Sequence, residues 1–265
     1  MNSRAQTVAP LPPDGRCAPR RLTVVRPGAL GDTLLTLPAL AALRRWAPEA
    51  RLTFIARADT LPLAQASGLT DCAWSWDSPD WSVIFASEPM TVTEAAQSAL
   101  GDADVVIVWA SDPDAMIARR LASLGAKRVI VAPALPPEDA TSAGERAHIA
   151  VWLIGALAPL GIPTPSVEAA AAMTPTLRAP APNNAEADAI WHALRLPERV
   201  VALHPGSGSP RKRWPADRFA EVARLAREAG YAPLLLAGEA DDQALAETQT
   251  ALTRMGVRAD VARGL

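Results

Sequence analysis

The sequence predicts an α/β protein built in two halves, each around a parallel sheet. Three observations carry this: short β-branched or apolar runs alternate with longer alanine- and leucine-rich stretches, a proline-rich stretch interrupts the alternation, and the alternation then restarts. In the first half, strands are expected at Leu22–Arg26, Arg51–Ala56, Val105–Trp109 and Arg128–Ala132. Helices are expected near Asp32–Trp46, Thr91–Leu100, Asp112–Leu124 and Glu145–Leu160. Pro159, Pro163, Pro165, Pro175, Pro180 and Pro182 then interrupt regular hydrogen bonding and favour an extended connector. Beyond it come a helix at Ala185–Leu194, a strand at Arg199–Leu203, a helix at Pro215–Ala229, a strand at Ala232–Ala237, a helix after Glu239 and a late strand containing Asp260.

This divides the 265 residues into a disordered tail over 1–20, a first domain over 21–160, a linker over 161–182 and a second domain over 183–265. The length suits two domains of ordinary size. The second domain ends about three strands into a sheet that normally needs five or six, so it is expected to be incomplete.

Composition removes several classes of function. Apolar residues at 49% against charged residues at 20% describe a folding globular chain. With 26 basic and 28 acidic side chains the formal charge is -2, so no global field draws the chain to nucleic acid, and any anion site must be local. Cys17 and Cys72 are far apart and His148, His192 and His204 are scattered, which gives no metal-ligand spacing and suits a reducing, cytoplasmic compartment. The N-terminal stretch, broken by Pro10, Pro12, Pro13 and Pro19, has no apolar run of signal-peptide length, and no later segment has the apolar length to span a bilayer.

Two motifs carry chemistry. In Val24-Val25-Arg26-Pro27-Gly28-Ala29-Leu30-Gly31-Asp32-Thr33 a strand feeds a tight turn and a helix begins beside Asp32. Such a turn lies at the carboxyl end of a parallel strand, where open α/β sheets bind ligands and the helix offers free N–H groups. The spacing is G-x-x-G, not the G-x-G-x-x-G of dinucleotide enzymes, which argues against a nicotinamide-dependent oxidoreductase. Asp32 admits two readings, a carboxylate that caps the helix and a functional base. The second motif is His204-Pro205-Gly206-Ser207-Gly208-Ser209-Pro210-Arg211-Lys212-Arg213-Trp214-Pro215. Flexible backbone N–H groups, a following helix N-terminus and three cations are what a diphosphate needs. The alternative is a solvated basic loop with Trp214 plugging the core.

Taken together, Gly28-Ala29-Leu30-Gly31-Asp32 with Pro38 downstream, His204-Pro205-Gly206-Ser207 and Lys212-Arg213-Trp214-Pro215 closely resemble, in order and separation, the heptosyltransferase-like glycosyltransferases of family nine. Gly238-Glu239-Ala240-Asp241 looks like that family's glycine and acidic turn after the next strand. The resemblance implies two Rossmann-like domains of the GT-B type facing one another across a cleft, acceptor on the N-terminal side and nucleotide-sugar on the C-terminal side. It implies an inverting, metal-independent transfer of a sugar, of ADP-heptose type, to a lipopolysaccharide-type or related glycan acceptor, with no cofactor. Asp32 falls on the catalytic base position. Gly28, Gly31, His204, Gly206, Ser207, Gly208, Ser209, Lys212, Gly238 and Glu239 fall on the substrate- and donor-binding positions. The implied location is cytoplasmic, with peripheral contact at the inner face of the inner membrane compatible with a lipid-linked acceptor.

The family continues past the equivalent of Leu265 with further strands and an acidic, glycine- and histidine-containing loop that helps hold the donor. The competing expectation is therefore a catalytically inactive, truncated binding domain of such a transferase. Trp74, Trp76 and Trp81 gather around Asp77 and Asp80 and admit an acceptor-stacking surface. The bland alternative is packing, the role assigned to Trp46, Trp109, Trp152 and Trp191.

Overall fold

The computed structural model describes residues 6–8, 19–86, 90–136, 148–177 and 181–263. The chain divides into two compact units, Met1–Ala179 and Pro180–Leu265.

The first unit is built on a sheet of β1 (Gln6–Val8), β2 (Arg21–Val25), β3 (Arg51–Ala56), β4 (Cys72–Ser75), β5 (Val105–Trp109) and β6 (Val129–Ala132), in the spatial order β1-β6-β5-β2-β3-β4. All neighbours are parallel except the edge pair β1 and β6. Both faces of β2, β3, β5 and β6 are covered, which is why these strands read as unbroken apolar runs. Alternate residues divide between the two faces. Leu22, Val24, Leu52, Phe54, Ile107 and Ile130 pack into one buried cluster, and Val25, Ile55, Val106, Val108, Val129 and Val131 into the other.

The helices of this unit are α1 (Leu30–Trp46), α2 (Leu61–Ala66), α3 (Glu94–Ala96), α4 (Met116–Leu124), α5 (Ile149–Gly155) and α6 (Val167–Ala172). α1 and α5 pack together on the first face through Leu40, Leu43, Leu153 and Ile154, while Ile117 and Leu121 of α4 close the second. Because β2 is flanked by β3 and β5, its carboxyl end is the point where the strand order reverses, the usual ligand crevice of an open α/β sheet.

The second unit has the parallel order β7 (Val200–Leu203), β8 (Ala232–Ala237) and β9 (Asp260–Arg263). Its helices are α7 (Ala181–Ala193), α8 (Ala216–Glu228) and α9 (Asp242–Arg254). α8 and α9 cover one face, burying Ala220, Ala223, Leu245 and Leu252 against Leu235 and Ala237. Leu234 and Ala262 on the other face pack with Leu196, and Ile190 of α7 lies against them.

Several boundaries differ from the sequence expectation, for local reasons. The expected extended linker over 161–182 contains α6, whose start is capped by the Ser166 hydroxyl accepting the Ala169 N–H at 3.2 Å. Pro163 and Pro165 stand before that cap, where they do not interrupt a helix, and the alanine run that follows favours one. Ile162 and Ala170 are buried in the core of the first unit, so the connector begins later than the prolines suggest. The expected tail over 1–20 carries the short strand β1, and most of its other residues lie outside the described ones. The helix expected at Thr91–Leu100 is α3 continuing as a π-turn at Gln97–Gly101. The helix expected at Glu145–Leu160 is α5 followed by a 3₁₀ turn at Ala158–Leu160, and 145–147 lie outside the described residues. α2 and β4 were not anticipated. β4 is a four-residue edge strand that is only half-buried, so it shows neither a long apolar run nor a clean alternation.

Trp81 is 1% exposed and its Nε1 donates to the Ser75 carbonyl at 2.6 Å, which makes it a core residue. Trp74 rests edge-on against it, with ring centroids 6.2 Å apart. Trp109 is buried and Trp214, expected as a possible core plug, is 51% exposed and stands edge-on to Phe219 instead.

Asp104 staples the start of β2. Its carboxylate accepts the Arg20 and Arg21 main-chain N–H groups at 2.7 and 3.0 Å and pairs with the Lys127 ammonium at 2.6 Å. Burial opposes its ionisation, but Lys127 and the two N–H groups outweigh burial and hold its pKa below the ordinary carboxylate value. A depressed folded pKa adds stability that is present above the unfolded pKa, roughly 3.9, and is lost as pH falls through the folded value. Asp104→Asn is therefore expected to be less stable than the parent in denaturant unfolding at about pH 7, with the gap closing below about pH 4. An equal gap at both pH values would mean that the charge on Asp104 contributes nothing.

Candidate functional site

In the first unit the residues of interest follow β2. Arg26, the first residue past the strand, is 4% exposed, and its Nη2 donates to Asp32 Oδ1 at 3.0 Å and to the Ala134 carbonyl at 3.4 Å. Its Nε is buried with no hydrogen-bond partner among the described residues. Burial lowers the Arg26 pKa from its ordinary value, and the Asp32 carboxylate works against that. Asp32 is the third residue of α1, counted from the cap Ala29. Its Oδ2 accepts the Ala29 N–H at 3.0 Å, the reaching-back half of a capping box. A Cβ at Gly28 would overlap the Asp32 side chain, so that glycine is required by the carboxylate beside it. A Cβ at Gly31 would meet nothing within 4 Å. The chain's own packing gives no reason for Gly31, and its backbone is open to approach.

In the second unit the turns after β7 and β8 lie side by side because the two strands are adjacent and parallel. His204 is the first residue past β7, and its Nε2 lies 2.9 Å from Asp241 Oδ2. The same oxygen accepts the Gly238 N–H at 2.9 Å. That amide does most to hold Asp241 below the ordinary carboxylate range; burial opposes it and His204 assists it. A Cβ at Gly206 would overlap the Asp241 carboxylate, whereas one at Gly208 would meet nothing within 4 Å. Ser207 and Gly208 run through an irregular turn to Ser209, which precedes the 3₁₀ turn Pro210–Lys212. The Lys212 N–H donates to the Ser209 carbonyl at 3.0 Å, and its side chain is exposed with no ion pair among the described residues. Arg213 instead turns to Gln243, its Nη1 at 3.4 Å from Oε1. Glu239 opens the 3₁₀ turn before α9, and its side chain lies outside the described residues.

The two carboxylates repeat one arrangement. Each is the third residue after a cap whose N–H it accepts, each has a basic partner just past the end of a strand (Asp32 from its own preceding strand β2, Asp241 from the adjacent β7), and each fills the place of a glycine side chain. Exposure separates them: the Asp32 side chain is 38% exposed and that of Asp241 10%. The Asp32 carboxylate is therefore open to approach, whereas that of Asp241 is largely enclosed. Sequence reading assigned no role to Arg26 or Asp241. The available signals were a charged residue closing an apolar strand, and the spacing Gly238 to Asp241, which matches Ala29 to Asp32.

Among the described residues no group of three His, Cys, Asp or Glu side chains could hold a metal ion, and no helix is long and apolar enough to cross a membrane.

Residues 140–261 match the profile of Glycosyltransferase family 9 (heptosyltransferase). That span holds His204 to Lys212 and the turn at Gly238; Asp32 lies before it. The fold is similar to that of a glycosyl transferase family 9 protein from Veillonella parvula, with a TM-score of 0.67 and 22% identity, covering 92% of this chain and 70% of that one. It is also similar to E. coli ADP-heptose lps heptosyltransferase II, with a TM-score of 0.59 and 19% identity over 92% and 72% of the two chains. E. coli heptosyltransferase WaaC, solved with ADP, follows at 0.56 and 15% over 92% and 75%. No curated protein matches the chain in sequence. The chain thus matches the family 9 profile in sequence over 140–261 and shares its α/β fold with these proteins.

Proposed function

We propose that this chain transfers a sugar, of heptose type, from an ADP-linked donor to a hydroxyl of a lipopolysaccharide-type or related glycan, by a single metal-independent displacement that inverts the anomeric centre. The observation that carries the donor half is Lys212, exposed and without an ion pair among the described residues, beside the open Gly208 turn at the carboxyl end of β7 and inside the family-matched span. Backbone N–H groups and an ammonium suit a diphosphate, and the similar E. coli WaaC was solved with ADP.

In the proposed reaction Asp32 takes the proton of the acceptor hydroxyl as its oxygen bonds to the anomeric carbon. The bond from that carbon to the diphosphate breaks, and the departing ADP carries away the electron pair. The sugar passes through an oxocarbenium-like state, and Lys212 with the Gly206 to Ser209 turn stabilises charge growing on the leaving group. Arg26 keeps the Asp32 carboxylate oriented in this scheme, at 3.0 Å.

The test is calorimetry with ADP followed by an assay of ADP release from ADP-heptose in the presence of a deacylated lipopolysaccharide core. Saturable ADP binding and acceptor-dependent release are the expected results. Binding without release would favour a binding domain, and no binding would remove the donor site.

A further inference from the structure

Asp241 joins the turn after β7 to the turn after β8, segments that are distant in sequence. Its Oδ2 lies 2.9 Å from His204 Nε2 and accepts the Gly238 N–H at 2.9 Å. Its carboxylate also occupies the space that any side chain at position 206 would need. The carboxylate is 10% exposed and His204 52% exposed, so the acid is the internal member of the pair and the imidazole the outward one. With one ring nitrogen committed to Asp241, the ring plane and tautomer are fixed and the other nitrogen is directed away from the acid. The Gly206 backbone passes close against the same carboxylate, at the start of the turn leading to Ser207 and Gly208.

From this geometry we infer that Asp241 is a positioning residue: it fixes His204 and the Gly206 turn in the arrangement that receives the diphosphate of the nucleotide-sugar. The inference rests on the donor-site reading of the His204 to Lys212 segment and adds to it a residue that need not touch the donor. It also reassigns Gly206. This glycine exists to admit the Asp241 carboxylate, whereas Gly208, which faces open space, is the glycine available for backbone contact with phosphate.

The experiment measures ADP binding by calorimetry, and thermal unfolding, for the parent, Asp241→Asn, Asp241→Ala, Gly206→Ala, the Gly206→Ala/Asp241→Ala double variant and Lys212→Ala. Asp241→Ala is expected to weaken ADP binding on the order of tenfold to a hundredfold, the loss typical when a group that orients a ligand-binding residue is removed. Asp241→Asn, which keeps an acceptor for the Gly238 N–H, is expected to recover part of that loss. Gly206→Ala is expected to lower the unfolding temperature in the parent but much less in Asp241→Ala, where the methyl group has room; this coupling reports the contact without any ligand. A folded Asp241→Ala that binds ADP like the parent while Lys212→Ala does not would overturn the inference and leave the donor site standing. Normal ADP binding by both variants, or none by the parent, would overturn the donor-site reading and this inference with it. Equal destabilisation by Gly206→Ala with and without Asp241 would remove the contact on which it is built.

Discussion

Asp32→Asn should lower kcat by about a hundredfold or more, the usual scale of general base catalysis, while ADP binding stays near the parent value. The substitution separates the capping contact this carboxylate makes from the proposed role as a base. Asparagine keeps the size of the side chain and one carbonyl oxygen, so it can still accept either the Ala29 N–H or the Arg26 guanidinium, both held at 3.0 Å in the parent. It cannot accept a proton from a sugar hydroxyl. A folded variant with normal ADP binding and lost transfer therefore identifies a base. Near-normal turnover would show that Asp32 is a helix cap paired with Arg26 and nothing more.

Lys212→Ala should raise the Kd for ADP by about tenfold to a hundredfold, the range expected when a charge-assisted hydrogen bond to phosphate is lost. The side chain is exposed and unpaired among the described residues, so its removal leaves no buried partner behind and should leave the unfolding temperature unchanged. That combination of weakened binding and unaltered stability separates a ligand contact from a structural cation. Arg213 provides the contrast, since its Nε is buried without a partner and its Nη1 reaches Gln243. Arg213→Ala should cost stability as well. A Lys212→Ala variant that binds ADP normally would reduce the basic turn to a solvated surface.

Much of the fold was legible because the central strands of both sheets are covered on both faces. The runs Arg51–Ala56, Val105–Trp109 and Ala232–Ala237 appear as strands with the bounds expected from sequence, since a strand covered on both sides must be apolar throughout. What escaped were elements with weaker demands: β4 lies half-exposed at an edge, and α6 depends on a Ser166 cap inside a stretch where the prolines dominate the reading. Of the candidate site, the two glycine-containing turns were legible as turns, because a strand ending in glycine before a helix has few conformations open to it.

By itself the sequence determined the α/β class, the two successive units and the residue types of both turns, since these follow from periodicity, from proline and glycine chemistry and from local charge. Only the tertiary structure decided what each residue touches. It set Arg26 beneath Asp32, brought His204 to Asp241 across 37 positions of chain, and divided the glycines into Gly28 and Gly206, which make room for carboxylates, and Gly31 and Gly208, which face open space. The physical reason is that a parallel sheet sets side by side the ends of strands that are far apart in the chain. Partners across those ends are fixed by strand order and register, and neither quantity is written in a local pattern.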